Sequence, residues 1–93
     1  MKNPFRVFYH TAVVSDDIPK LDKANRIRIK QAIEQKIMVA PETFGLPLRR
    51  SLKGYRKLRV GDYRIVYRGN PSTVLILAIL HRRMVYEYSK KRI

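Results

Sequence analysis

The chain has 93 residues, which suffice for one hydrophobic core and predict a single domain over residues 1–93. Hydrophobic residues make up 45% of the sequence, which excludes a disordered chain, and the longest apolar run, residues 74–80, is far shorter than the roughly 20 residues of a membrane span. With a net charge of +14, no cysteine for disulfides or zinc, and no signal-peptide pattern in residues 1–4, the sequence leads us to expect a cytoplasmic protein without a membrane partner.

The first part of the chain predicts a strand followed by helices. Residues 5–9 are a short β-type run. Residues 11–21 make a poor helix candidate at their end, where Pro19 should break a helix. Asp22 is a good N-cap for a helix that runs from residue 23 to about residue 39.

Apolar residues recur at helical spacing along residues 23–39 and predict the face that packs in the core. They are Ile29, Ala32, Ile33 and Ile37, widened by Ala24 and Ile27. After this helix, Pro41 and the tripeptide at residues 45–47 indicate a loop.

The rest of the chain predicts three strands, at residues 55–60, 63–68 and 74–80. Gly61-Asp62 suits a two-residue type II′ turn, and residues 70–72 make another turn. The third strand is nearly all apolar and should be buried on both faces, and the basic remainder is expected to end in a short helix or an ordered tail. The fold class is therefore α+β: an N-terminal strand, a helical hairpin, then an antiparallel β-meander, with the helices packed on one face of the sheet.

The positive charge is concentrated in the second half of the chain. Residues 1–48 contain 8 Lys/Arg and 5 Asp/Glu (+3), whereas residues 49–93 contain 13 and 2 (+11). This balance predicts a polyanionic ligand. Nucleic acid is the first candidate and an acidic protein is the second. The alternative interpretation is that the charge only keeps the surface soluble. The two acidic residues, Asp62 and Glu87, are ill suited to holding Mg²⁺, so we expect catalysis without a metal or another cofactor.

A two-residue turn at 61–62 fixes which side chains of the hairpin share a face. Leu58 then lies opposite Ile65 on the core face, and Arg59 lies opposite Arg64 on the other face, together with Lys57. Like charges placed directly opposite each other are unfavourable, and a bound anion would turn the repulsion into attraction. Because the arginine fork suits phosphate, the sequence predicts a phosphate site here; the alternative is three side chains that splay separately into water.

A second basic cluster, residues 81–86 (HRRMVY), follows the apolar strand. His81 can act as an acid or base near neutral pH, and Tyr86 can transfer a proton or stack on a base. A solvated strand end is the alternative. His10 is alone after the first strand, and we expect it to be structural.

Three segments together resemble the RelE/ParE toxins of type II toxin–antitoxin systems: residues 45–48 (GLPL), 55–67 (YRKLRVGDYRIVY) and 79–83 (ILHRR). The resemblance extends over nearly the whole chain. RelE-like members are ribosome-dependent ribonucleases that cut mRNA, whereas ParE-like members poison DNA gyrase and lack the nuclease residues. The resemblance to the RelE-like branch implies catalytic roles for Lys57, Arg64, Arg82, Tyr86 and His81. It further implies that Arg59, Arg56, Arg68, Arg83 and Lys53 bind RNA.

This sequence departs from some nuclease members. Tyr55 stands where some have a second lysine, and the spacing from Arg82 to Tyr86 is shorter than in some others. The implied reaction is metal-independent attack of the RNA 2′-hydroxyl on the adjacent phosphorus, with Tyr86 and either His81 or Lys57 moving protons. The implied partners are a cognate antitoxin with an acidic segment, the ribosome and mRNA. A ParE-like gyrase inhibitor without nuclease activity is the alternative.

Overall fold

A five-stranded sheet forms the centre of the protein in the computed structural model, which describes residues 5–93. In chain order the strands are β1 (Arg6–Tyr9), β2 (Leu46–Pro47), β3 (Arg56–Val60), β4 (Tyr63–Gly69) and β5 (Thr73–His81). Their order in the sheet is β1-β5-β4-β3-β2; β1 runs parallel to β5 and the other neighbours are antiparallel. The predicted α+β class with an antiparallel meander, β3 to β5, is confirmed. Residues 1–4, where the sequence has no signal-peptide pattern, lie outside the described residues.

Two helical stretches lie between β1 and β2. The first comprises a π-helical turn, Val13–Asp17, and a 3₁₀ turn, Ile18–Lys20. The expected break at Pro19 is wrong, because the proline stands in the first turn of the 3₁₀ segment, where its missing N–H removes no helical hydrogen bond. The second stretch is α1 (Lys23–Ala32), which continues as the π-helical turn Ile33–Ile37. No helix within residues 5–93 is long and apolar enough to cross a membrane.

Helix α1 begins and packs largely as predicted. The Oδ1 atom of Asp22 accepts a 2.8 Å hydrogen bond from the Asn25 N–H, which confirms the N-cap. The predicted core residues Ile29, Ala32, Ile33 and Ile37 are all buried. The inclusion of Ala24 and Ile27 is wrong, because Ala24 is exposed and Ile27 is 47% exposed. At about 100° per residue, both lie roughly 140–160° around the helix from Ile29 and therefore face solvent.

Both faces of the sheet are covered. Helical residues 13–37 pack on one face against Ile65 and Ile76, as expected for the helical hairpin. The other face carries α2 (Val85–Lys90) and a 3₁₀ turn, Arg50–Leu52, which pack against Val66 and its neighbours. We call these the α1 face and the α2 face. Because β5 contributes to both cores, the prediction of a strand buried on both sides is confirmed.

A β-bulge in β5 changes the direction in which its later residues point. Val66 of β4 pairs with Ala78, but Tyr67 pairs with Ile76, so Leu77 is an extra residue. Ile76 and Ile79 consequently both lie in the core of the α1 face, although residues three apart in a regular strand point to opposite faces.

The hairpin of β3 and β4 has the predicted register. Leu58 pairs with Ile65, and Arg59 pairs with Arg64. Gly61 opens the turn with φ 61°, and Asp62 has no positive φ, as a type II′ turn requires.

Residues 46–47 form an edge strand, β2, where the sequence predicted only a loop. They pair with Lys57 and Arg56 of β3. A proline is tolerated in β2 because this is an edge strand of the sheet, so no further strand requires an N–H from it. Gly45, immediately before β2, has φ 77°. A Cβ at this position would lie 2.7 Å from the Tyr67 hydroxyl and 2.9 Å from the Lys57 carbonyl oxygen, so only glycine fits.

Arg92 ties the C-terminal segment to the sheet through a buried ion pair. Its Nη1 and Nη2 atoms lie 2.6 and 2.8 Å from the two carboxylate oxygens of Asp17. β1 ends level with Ile76, so the backbone of β5 beyond that residue has no strand partner on this side. Asp17 instead accepts the N–H of Ile79, and Arg92 donates to the carbonyl of Leu77. The ion pair thus satisfies backbone groups at the open edge of β5. The hydrogen bond to Asp17 also raises the pKa of Arg92.

Candidate functional site

Three cations share the α2 face of the β3–β4 hairpin. Arg59 and Arg64 are directly paired across the two strands, and alternation along β3 puts Lys57 on the same face. The ion pairs within residues 5–93 are Asp17–Arg92 and Glu87–Lys91, so none of the three is neutralised by a described carboxylate. The geometry predicted for these side chains is confirmed, and the arrangement favours an anionic ligand.

The Arg64 guanidinium is partly held by the turn. Its Nη1 atom donates to the carbonyl of Gly61 at 3.0 Å and to that of Tyr63 at 2.9 Å. Neither its Nε nor its Nη2 atom has an acceptor among residues 5–93, which leaves one edge of the fork free. Arg64 is therefore both fixed in position and able to donate to a phosphate oxygen.

Helix α2 brings Tyr86 to the same cluster. The Lys57 Nζ atom lies 5.4 Å from the centre of the Tyr86 ring, in a cation–π contact. Val85, the preceding residue, is buried against the sheet, whereas Tyr86 is 52% exposed. The helix thus positions Tyr86 beside Lys57 while its ring stays accessible to a ligand.

His81 and Arg82 occupy different places. Because of the bulge in β5, His81 pairs with Tyr63 and lies on the α1 face, its ring 5.8 Å from the Tyr63 ring in an edge-on contact. Its Nδ1 atom accepts a 3.3 Å hydrogen bond from the Arg83 N–H. The N–H of Arg82 donates to the carbonyl of Asp62, which puts Arg82 beside the hairpin turn. The structure brings Lys57, Arg59, Arg64 and Tyr86 together and separates His81 from them.

The remaining basic residues expected to bind RNA are dispersed. Arg56 points to the α1 face, where its guanidinium donates to the carbonyls of Phe44 and Gly45 and holds that loop. Arg68 shares the α2 face but lies at its far end, over the Tyr55 ring. Lys53 and Arg83 are exposed on loops. His10 accepts the N–H of Ala12, in keeping with the structural role expected of it.

A basic cleft of about 560 Å³ adjoins the cluster on the far side of Lys57. It is lined by residues 46–51 together with Lys57, Tyr86 and Lys90, and none of these residues is acidic. Arg49 and Arg50 are both exposed on the loop that forms one wall. Within residues 5–93 no group of three His, Asp or Glu side chains could hold a metal ion.

Comparison with known proteins identifies the family. The sequence profile of the ParE toxin of the type II toxin–antitoxin system parDE matches residues 7–86. The chain belongs to this toxin family. The RelE/ParE resemblance noted in the sequence is thereby confirmed. No curated protein matches the chain.

Solved toxin–antitoxin complexes share the fold of this ParE-family toxin. A chain of the RelBE2 complex from Mycobacterium tuberculosis is 32% identical to it, with a TM-score of 0.76; the match covers 85% of this chain and 99% of that one. A chain of the RelB–RelE complex from Methanococcus jannaschii is 26% identical, with a TM-score of 0.65, and the match covers 87% and 96%. The toxin is thus similar to members of both named branches.

Three cations of the toxin's basic surface were missed by the sequence analysis: Arg49, Arg50 and Lys90. Lys90 follows Tyr86 by four residues, a spacing that puts both on one side of a helix. That signal is usable only once residues 85–90 are known to be helical. Arg49 and Arg50 gave no periodic signal, since they lie on a loop that the sequence alone does not orient.

Proposed function

We propose that this toxin is a ribosome-dependent endoribonuclease that cleaves mRNA without a metal ion. The observation that carries the proposal is the cluster of Lys57, Arg59 and Arg64 on one face of the hairpin, with Tyr86 beside it and no carboxylate of residues 5–93 paired to it. A stability-driven sequence would avoid this juxtaposition of charge. A phosphodiester in its transition state offers the matching negative charge.

The reaction would proceed by attack of the RNA 2′-hydroxyl on the adjacent phosphorus. The 2′ proton leaves to a base, the bond from phosphorus to the 5′ oxygen breaks, and that oxygen takes a proton, giving a 2′,3′-cyclic phosphate and a free 5′-hydroxyl. Arg64, with Nε and Nη2 available, and Arg59 would stabilise the charge that develops on the phosphorane oxygens. Arg82, beside the turn, would add a further donor.

Tyr86 and Lys57 are the better pair for moving the protons. Tyr86 is half exposed beside Lys57, so a substrate can reach its hydroxyl. His81 would have to act from the α1 face, on the other side of the sheet from Lys57. The general acid and base are therefore assigned here to Tyr86 and Lys57 rather than to His81.

We further propose that the toxin is neutralised by an antitoxin with an acidic segment. The two solved complexes described above each contain an antitoxin with the toxin. A toxin of net charge +14 suits an acidic partner, because complementary potentials steer association and suppress wrong partners.

A gyrase inhibitor is the second candidate function. The observation that favours it is the match to the ParE profile over residues 7–86. In that case the basic cluster would contact a protein or DNA, and no RNA would be cut.

One pair of assays separates the two functions. The protein is added to a cell-free translation reaction, and the mRNA is analysed by primer extension; in parallel, supercoiling by gyrase is measured. We expect cuts within translated codons, lost in the Arg59→Ala/Arg64→Ala variant and retained in Arg6→Ala, which removes an exposed arginine from the opposite edge of the sheet. Intact mRNA together with inhibited supercoiling would establish the gyrase function instead.

A further inference from the structure

The basic cleft beyond Lys57 joins the hairpin cluster without a break. Lys57 lines it and also lines a neighbouring cleft that contains Arg59 and Arg64. The other cations of the basic cleft are Arg49, Arg50 and Lys90, and no carboxylate lines it. Lys57 is therefore shared by two neighbouring basic sites on a single surface.

We propose that this cleft, the Arg50–Lys90 cleft, binds a second phosphate of the same nucleic-acid strand, adjacent to the phosphate held by Lys57, Arg59 and Arg64. The proposal deepens the proposed function, on which the identification of the strand as RNA rests. Single-stranded nucleic acid is recognised by a basic groove that follows the backbone and by aromatic rings on which bases stack. The cleft has both features, since its lining combines Arg49, Arg50, Lys57 and Lys90 with the ring of Tyr86, which lies beside Lys57.

The wall formed by the loop is held in an unfavourable conformation. Arg50 has φ 58°, the left-handed region that residues with a Cβ seldom occupy. On either side, Leu48 and Leu52 are buried at 5% and 1% exposure, and they fix the loop against the α2-face core. Arg49 and Arg50 between them are left exposed. A glycine at position 50 would relieve the backbone, so the arginine is unfavourable for folding and is explained by what its side chain binds.

In the wall formed by α2, buried residues likewise determine which side chains are exposed to the cleft. Val85 and Ser89 are buried against the sheet at 2% and 0% exposure. Tyr86 and Lys90, each one position later, are four residues apart and are therefore turned together towards the cleft. Lys91 is turned elsewhere, over the Tyr88 ring and towards Glu87.

The test measures binding of the full chain to 2′-deoxy oligonucleotides, which lack the attacking hydroxyl and cannot be cleaved. Two probes are used, a dinucleotide with one phosphodiester and a tetranucleotide with three. The variants are Arg50→Gly, which removes the side chain and relieves the backbone, Arg50→Lys, which keeps the charge, and Lys90→Ala. Lys91→Ala is the control, since it removes the same charge from the residue that follows α2 and lies outside the cleft.

We expect Arg50→Gly and Lys90→Ala each to weaken tetranucleotide binding about tenfold and dinucleotide binding less than about twofold. The dependence of log Kd on log salt should fall by about 0.7 per lost contact. Arg50→Lys should retain most of the affinity, and Lys91→Ala should match the wild type. Arg50→Gly should unfold at the same or a higher temperature, which separates lost binding from lost fold.

Three outcomes would overturn the inference. Equal weakening of both probes would mean that the cleft adds no second phosphate site. An effect no larger than that of Lys91→Ala would mean that the cleft does not bind the strand. An effect confined to an acidic peptide such as poly-glutamate, measured in parallel, would make the cleft a protein-binding surface. Wild-type protein that leaves translated mRNA intact but binds the longer probe through Arg50 and Lys90 would contradict the nuclease function and leave this inference standing.

Discussion

At the scale of single residues, the hairpin cluster combines fixed position with free donors. The turn carbonyls of Gly61 and Tyr63 hold Arg64 in place, yet part of its fork is unused. Arg82 is attached to the same turn through its backbone N–H. Preorganised donors of this kind stabilise developing charge without having to reorganise during the reaction, and they act chiefly on the rate.

We expect Arg64→Ala and Arg82→Ala each to lower the rate of mRNA cleavage on ribosomes by about 100- to 1000-fold. The free energy of unfolding should change by less than about 1 kcal/mol, because neither side chain is in the core and each substitution relieves like-charge crowding. Single-turnover cleavage and urea unfolding measure the two effects. Full cleavage by both variants would contradict the proposed function.

Tyr86→Phe should separate proton transfer from stacking. The variant keeps the ring beside Lys57 and loses only the hydroxyl. We expect cleavage to fall by roughly 100-fold or more while the affinity for a non-cleavable RNA stays within about twofold. If the cleavage rate is unchanged, Tyr86 is neither the acid nor the base, and Lys57 is the remaining candidate on this face.

The buried hydroxyl of Tyr67 makes the protein less stable at alkaline pH. It is fully buried, and its hydroxyl lies 2.7 Å from the carbonyl oxygen of Pro41 and 2.5 Å from that of Phe44. Burial raises the pKa of Tyr67 above its ordinary value of 10.0, although the charge of Arg56 opposes the shift. Because the folded protein resists ionisation of the Tyr67 hydroxyl, this group contributes to the free energy of unfolding. The contribution is fully present below about pH 10 and is lost as the pH rises through the pKa of the folded state.

The urea midpoint should therefore fall above about pH 10 in the wild type and fall less in Tyr67→Phe. Tyr67→Phe should also cost about 1 kcal/mol at neutral pH, because the Pro41 carbonyl loses its donor and the Phe44 carbonyl keeps only the Arg56 guanidinium. Tyr86→Phe, which removes an exposed hydroxyl, serves as the control and should retain the alkaline fall. An undiminished fall in Tyr67→Phe would show that other groups cause it.

At the scale of elements, α2 is short and depends on its attachments. It has only six residues, too few for a helix that is stable alone. Its buried Val85 anchors one end to the α2-face core, and the residue after its last turn leads into Arg92, which reaches Asp17 and the backbone of β5. The ion pair thus holds the chain directly after α2, although it touches neither Tyr86 nor Lys90.

Arg92→Ala should lower the free energy of unfolding by about 3–5 kcal/mol, since it leaves the buried Asp17 carboxylate unpaired. Asp17→Ala should cost a similar amount, and the double variant should cost less than the sum of the two. Urea unfolding of all three proteins measures this coupling. Additive effects would mean that the two side chains act independently.

At the scale of the whole molecule, the high positive charge predicts how the proposed binding to nucleic acid depends on salt. The net charge is +14, and the three cations of the hairpin cluster lie on one face of the sheet. Three contacts on a single strand give a slope of about −2 in a plot of log affinity against log salt, or about 15-fold between 50 and 200 mM. Fluorescence anisotropy with a labelled RNA measures the slope, and affinity that does not change with salt would exclude a polyanion-binding role.

The sequence predicted the fold well wherever a local rule decides the structure. Turn chemistry at Gly61 set the hairpin register and with it the shared face of Arg59 and Arg64. The loop before β3 was not predicted to pair, because two residues give no periodic signal and their pairing depends on the distant strand. The placement of α2 and the Arg50–Lys90 cleft likewise depend on tertiary packing. The position of His81 depends on Leu77, an extra residue that no pattern in the apolar run reveals.

The bulge at Leu77 has a consequence for how such a protein can change. Inserting or deleting one residue in β5 ahead of position 79 would exchange the two faces for every later position of the strand. With the bulge, Leu80 packs towards the α2 face and His81 faces α1; without it, the histidine would lie on the side of Lys57. A single-codon insertion or deletion could therefore bring His81 to the side of Lys57 although neither residue changes its identity.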